Sequence, residues 1–140
     1  MLTWEQWQEK SRSSLAASRI LLENQKPVEA ASCAYYAAYQ MVTAMLIRFK
    51  LNPRGEFGNW SHHETQNMYH THICQKPDLG FKEKVALSSL RLSFRNLLIN
   101  RAKANYDVDK DIDMALSQGL WREANKLVRL LENLIKRGAL

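Results

Sequence analysis

Apolar residues recur along this chain at helical spacing, and no stretch alternates apolar and polar residues as a strand does. Thr3 followed by Gln6 forms a capping-box pattern, so a helix is expected over about 4–24, with Leu15, Ile20, Leu21 and Leu22 among its apolar positions. Pro27 suits the first turn of a second helix, expected over about 27–51. Asn52-Pro53-Arg54-Gly55, followed by Gly58, reads as a loop. Ser61 and Glu64 repeat the capping box and open a short helix reaching about Ile73. Pro77, Asp78 and Gly80 punctuate the next break. A long helix then covers about 81–103, with Val85, Leu90, Leu92, Phe94, Leu97, Leu98 and Ile99 as apolar positions. Residues 105–110 are polar and turn-like, and Asp111 is placed to cap a last helix ending near Arg137, before Gly138. Gly119 inside that helix costs about 1 kcal/mol relative to Ala, which suggests a kink or a close approach. The expected fold is all-α: one domain over 1–140, an up-and-down helical bundle of four long helices and one short one.

Composition narrows the class. The 140 residues suffice for one core, and 46% hydrophobic with 24% charged residues is an ordinary folded composition. Five glycines and three prolines leave few breaks, as long helices require. Residues 30–47 are uncharged, but they are rich in Ala, Tyr, Ser, Gln and Thr, so a buried central helix is expected and not a membrane span. The first nine residues hold two Trp and two Glu, with no basic-then-apolar signal pattern. Cys33 and Cys74 form no C-x-x-C, and a cytoplasmic location is expected. The net charge of +6 is compatible with a phosphate-rich partner, although it names no substrate.

Three segments bear candidate chemistry. In Arg101-Ala102-Lys103-Ala104-Asn105-Tyr106, Arg101 and Asn105 share a helix face. Tyr106 falls about 140° around from Arg101, so the two meet one ligand only if the helix frays or bends after Ala104. Arg101 can clamp a phosphate bidentately, Asn105 can bond a base or ribose, and the Tyr106 hydroxyl can donate to a phosphate. The structural alternative pairs Arg101 with Asp107 or Asp109 and makes Tyr106 a plug at the bundle end. In Ser61-His62-His63, the start of a helix offers unpaired N–H groups, with Ser61 and His62 beside them, and the simpler reading is a cap with exposed histidines. In Ala34-Tyr35-Tyr36-Ala37-Ala38-Tyr39, the alanines let another helix come close and the tyrosines pack with their hydroxyls toward the surface.

His63, His70 and Cys74 lie near one helical face, but about 10.5 Å of rise separates the two histidines, so no metal site is expected. Lys84, Arg91 and Arg95 form one basic stripe, and Arg122, Lys126 and Arg129 form another. Either can track a phosphate backbone or be the solvated side of its helix. Trp4 and Trp7 suggest a hydrophobic clasp or a partner surface.

In that order along the chain, the three segments resemble the HEPN family of small helical bundles. The resemblance spans about 8–135, with its specific residues confined to the three segments. It looks most like a small bacterial and archaeal branch in which Tyr stands where catalytic members carry His. The resemblance implies an RNA- or nucleotide-binding role in toxin–antitoxin or antiviral defence, without a cofactor. In catalytic members the arginine and histidine act on the RNA 2′-hydroxyl and the scissile phosphate. Arg101 carries over to this chain, whereas Tyr106 occupies the histidine position. Tyrosine, with a pKa of about 10, is a poor general base beside histidine at about 6.5, which puts the usual ribonuclease chemistry in doubt. The resemblance also sets the tyrosine helix against the arginine-bearing helix, lining the cleft, with Tyr36 the first candidate among Tyr35, Tyr36 and Tyr39, and with Asn105, Tyr106, Ser61 and His62 assisting Arg101. It implies a homodimer joining two arginine segments, and a nucleotidyltransferase-type antitoxin or a defence effector as partner. Two further readings follow from it: a non-catalytic interaction module, and a protein silenced by nucleotide transfer onto Tyr106.

Overall fold

A computed structural model describes residues 1–56, 58–106 and 112–140, with Tyr106 described by its backbone alone. The described residues are helical, with no strand: α1 (Trp4–Glu23), α2 (Pro27–Arg48), α3 (His62–Met68), α4 (Phe81–Tyr106) and α5 (Met114–Lys136). They pack as a helical bundle with α2 at its centre, against α1, α3, α4 and α5.

Local chemistry sets most helix ends. Thr3 Oγ1 accepts from Gln6 N at 3.2 Å while Gln6 Oε1 accepts from Thr3 N at 2.9 Å, which is the expected capping box. Ser61 and Glu64 do the same at the start of α3. Pro27 opens α2, which stops at Arg48 and not near Leu51, because Lys50 turns into the left-handed region at φ 66°. The last helix begins at Met114 with Asp113 as its cap, Oδ1 accepting from Leu116 N at 2.8 Å. The cap expected at Asp111 lies outside the described residues, and α5 starts beyond it.

The short helix departs from expectation. After Met68 it continues as a π-helical segment, Tyr69–Cys74, one residue past the expected end. Turns of this kind are rare and short, and occur mostly as single widened turns inside α-helices. Here Tyr69 is fully buried and its hydroxyl donates to Leu87 O on α4 at 2.6 Å. Leu87 O lies within a helix, so this bond ties the π segment to the second turn of α4.

The core is built around α2. Ala30, Ala34, Ala37 and Ala38 are wholly buried, and Glu29 is its only exposed residue. The small side chains let neighbouring backbones approach closely enough for serine hydroxyls to reach α2 carbonyls. Ser11 Oγ donates to Ala37 O at 2.6 Å, Ser18 Oγ to Ala30 O at 2.7 Å, and Ser117 Oγ to Pro27 O at 2.7 Å. These buried hydroxyls are satisfied, so they add specificity to the helix pairing without an unpaired polar group.

Not every apolar position of these helices faces the core. Leu22 is buried in α1, but Ile20 is 57% exposed. In α4, Phe94 and Leu97 are buried, whereas Val85, Leu92 and Ile99 point outward. That helix has apolar residues on both sides, and only the side bearing Leu87, Phe94, Leu97 and Ala104 meets the core. Gly119 marks no close approach: a Cβ placed there has nothing within 4 Å. Trp7 is buried, while Trp4 lies under the Arg48 guanidinium, 4.7 Å from the ring centroid. Among the described residues, no helix is long and apolar enough to cross a membrane.

Candidate functional site

Three helices bring Tyr35, Tyr36, Tyr39, His62 and Arg101 together. The tyrosines stand on the buried middle of α2, His62 is the first residue of α3, and Arg101 lies in the last third of α4. The Ser61 cap fixes where α3 begins and therefore where the imidazole stands. Thr65 Oγ1 donates to Ser61 O at 2.8 Å, and Tyr39 Oη donates to Trp60 O at 2.6 Å, so the entry to α3 is held from both sides. Asn59 Nδ2 in turn donates to Tyr39 Oη at 2.8 Å.

Arg101 reaches across to α2. Its Nη2 donates to Tyr36 Oη at 2.9 Å, and its Cζ lies 5.4 Å from the Tyr36 ring centroid. The ring face and the hydroxyl thus hold one guanidinium together, an arrangement that limits its motion. His62 sits among the three tyrosines, with ring centroids 5.3 Å from Tyr35, 6.3 Å from Tyr36 and 5.1 Å from Tyr39. Its Nδ1 shares a hydrogen bond with Tyr35 Oη at 2.6 Å. Behind it, Tyr35 stacks on Phe94 at 6.3 Å, and Phe94 meets Tyr69 edge-on at 5.6 Å. The imidazole therefore rests on an aromatic wall continuous with the core.

The electrostatics follow from this placement. Burial lowers the His62 pKa below its usual 6.5, and the nearby Arg101 cation and His63 push it the same way. The ring is neutral at pH 7, with one nitrogen engaged by Tyr35. Burial pushes the Tyr35 and Tyr39 hydroxyls up, so both stay protonated and able to donate. A fixed cation beside a neutral imidazole and protonated phenols can bind a phosphate and accept a proton next to it.

The other residues expected at the site are less central. The Ser61 hydroxyl accepts from Glu64 N within the capping box. Asn105 is exposed, and its Oδ1 accepts from Ser32 Oγ at 3.4 Å across the α2–α4 contact. The helix runs beyond the expected end near Lys103 to Tyr106, whose side chain lies outside the described residues. The suggested partners Asp107 and Asp109 lie outside the described residues.

Of the three tyrosines, Tyr36 is the one that accepts from Arg101. The sequence assigned no role to Tyr35, Asn59 or Trp60. The signal for Tyr35 was its helical offset of four from Tyr39, which marks a shared face but not a histidine partner. Among the described residues, no three His, Cys, Asp or Glu side chains gather as a metal site would need. Surface grooves of about 400 and 480 Å³ lie elsewhere, between α1 and α5 around Trp121. No protein-family model matches the chain, and no curated protein was found to be similar to it.

Proposed function

We propose that this chain is a HEPN-like RNA- or nucleotide-binding protein of a toxin–antitoxin or antiviral defence system. In this reading Arg101 holds a phosphate and Tyr36 keeps the guanidinium aimed. His62 supplies the imidazole that the Tyr106 position lacks. In the tautomer whose Nδ1–H donates to Tyr35 Oη, the His62 Nε2 lone pair accepts the proton of a ribose 2′-hydroxyl as its oxygen bonds to phosphorus, the P–O5′ bond breaks, the imidazolium returns the proton to the leaving 5′-oxygen, and Arg101 offsets the charge that develops on the phosphate. Asn105, on the same side of α4 as Arg101, contacts base or ribose. Two copies of the chain pair their Arg101 segments, and a nucleotidyltransferase-type antitoxin is the expected partner.

The observation that supports this reading is the convergence of Arg101, Tyr36 and a neutral His62 from three separate helices. Charged residues near helix ends are usually solvated or structural, and a cation held by a phenol in the neighbourhood of a neutral imidazole is a less common arrangement. A labelled RNA pool, incubated with chelator present, tests it with wild type, Arg101→Ala and His62→Gln. The expected result is binding lost in Arg101→Ala, and cleavage lost with binding retained in His62→Gln. Equal RNA binding by wild type and a folded Arg101→Ala would overturn the reading.

A second reading, a non-catalytic interaction module, is supported by the outward-facing apolar residues of α4. No cleavage by any of the three proteins, with no loss of RNA binding in Arg101→Ala, favours it.

A further inference from the structure

The outer face of α4 has no use in the site described above. Phe81 is 85% exposed, Val85 51%, Leu92 65% and Ile99 43%. Val85, Leu92 and Ile99 are spaced by seven, and Phe81 stands four before the first of them. At 3.6 residues per turn the four lie within about 40° of one another, on the side of α4 away from Leu87, Phe94, Leu97 and Ala104. The stripe runs for about 27 Å, or five turns. Arg101 lies on the core side of the same helix, so the stripe and the Arg101 cluster face apart.

The edges of the stripe have one sign of charge. Lys84, Arg91 and Arg95 line one edge. Lys82, Ser89 and Asn96 line the other, with Lys103 at its far end. The only acidic residue of α4, Glu83, is turned away and paired with Arg137 Nη2 at 2.9 Å. We propose that this face docks an acidic amphipathic helix of a partner protein, with its apolar ridge seated on Phe81, Val85, Leu92 and Ile99.

Charge complementarity selects this occupant. A second copy of the chain would set Lys84, Arg91 and Arg95 against the same residues when antiparallel and against Lys82, Ser89 and Asn96 when parallel, and neither orientation brings a carboxylate of α4 to the seam. A nucleic acid would meet the lysines and arginines but would gain nothing from four large apolar groups. A helix with apolar residues at heptad spacing and Glu or Asp beside them satisfies both features. The contact is independent of any RNA bound at Arg101.

The probe is a labelled synthetic peptide of about three heptads, with Leu at the seam and Glu at the flanks, and its counterpart with Lys in place of Glu. Fluorescence anisotropy reads binding to wild type, Leu92→Ser and the double variant Arg91→Glu/Arg95→Glu. Leu92 is exposed, and circular dichroism verifies that the variants are folded. The Glu peptide is expected to bind wild type, more weakly in high salt, and at least about tenfold more weakly to Leu92→Ser. The double variant is expected to prefer the Lys peptide. Failure of wild type to bind the Glu peptide, or equal binding of both peptides, overturns the proposal. So does a wild-type dimer that Leu92→Ser dissociates, which assigns the face to a second copy. Leu92-dependent binding to vesicles of anionic phospholipid, with no peptide binding, assigns it to a membrane surface instead.

Discussion

Replacing Tyr35 with Phe removes one oxygen from the wall behind His62 and leaves the ring in place. The hydroxyl is part of a 2.6 Å hydrogen bond to His62 Nδ1, and the Tyr35 side chain is wholly buried. The ring contacts with Phe94, Tyr36 and Tyr39 survive the change. The loss is therefore one hydrogen bond, worth about 0.5–1.5 kcal/mol net. For a chain of this size that lowers Tm by roughly 2–5 °C. Urea melts read the stability, and proton NMR of the imidazole reads the titration of His62. In wild type, His62 should titrate below 6.5, because burial and Arg101 disfavour its charged form. The direction of its shift in Tyr35→Phe reveals the donor. If Tyr35 donates to Nδ1, losing it moves the pKa up; if Nδ1–H donates to Tyr35, losing the acceptor moves it down. The same depression sets a pH dependence. Between the lowered folded value and 6.5 the unfolded chain binds more protons than the folded one, so the His62 contribution to stability rises with pH across that window. It is complete above about 6.5 and is lost as pH falls through the folded value. Melts at about pH 7.5 and 5.5 should show a smaller drop in His62→Gln than in wild type. Wild-type His62 titrating at or above 6.5, or a Tyr35→Phe protein whose melt and titration are both unmoved, would refute the reasoning.

Two stability predictions rest on the core. Phe94→Ala opens a void between Tyr35 and Tyr69 and should cost about 3–5 kcal/mol in a urea melt; a cost below about 1 kcal/mol would mean that the aromatic wall is not packed as described. Gly119→Ala should stabilise α5 by about 0.4–1 kcal/mol, since the added methyl meets no neighbour, and a fall in Tm would contradict that open surroundings.

What was legible in the sequence was local. The Thr3 and Ser61 capping boxes, the Pro27 start and the Gly80 break depend on residues within one turn of each other, and all four fall where expected. Asp111 and Asp113 offer the same cap chemistry two residues apart, and α5 starts at Met114 with Asp113 as its cap. The facing of α4 was hidden by apolar residues on both of its sides. The π segment was hidden because what holds Tyr69 in place, Leu87 O, lies on another helix. At the site, the three segments were visible but their partners were not. Neighbouring tyrosines divide the work, Tyr35 meeting His62 and Tyr36 meeting Arg101, and a helix offset cannot reveal which does which.

The central position of α2 has a consequence for how this protein can change. The helix that presents Tyr35, Tyr36 and Tyr39 is also the one every other helix packs against. A substitution scan along it would score its thirteen buried positions, Tyr35 and Tyr39 among them, as damaging, and at those the scan would report folding, not ligand recognition. Only edits at the tips of the rings separate the two, because Tyr→Phe preserves volume while removing the polar atom. Drift at the site should therefore run through hydroxyls on α2 and through the more exposed α3 and α4 partners, where alternatives can be sampled without dismantling the bundle.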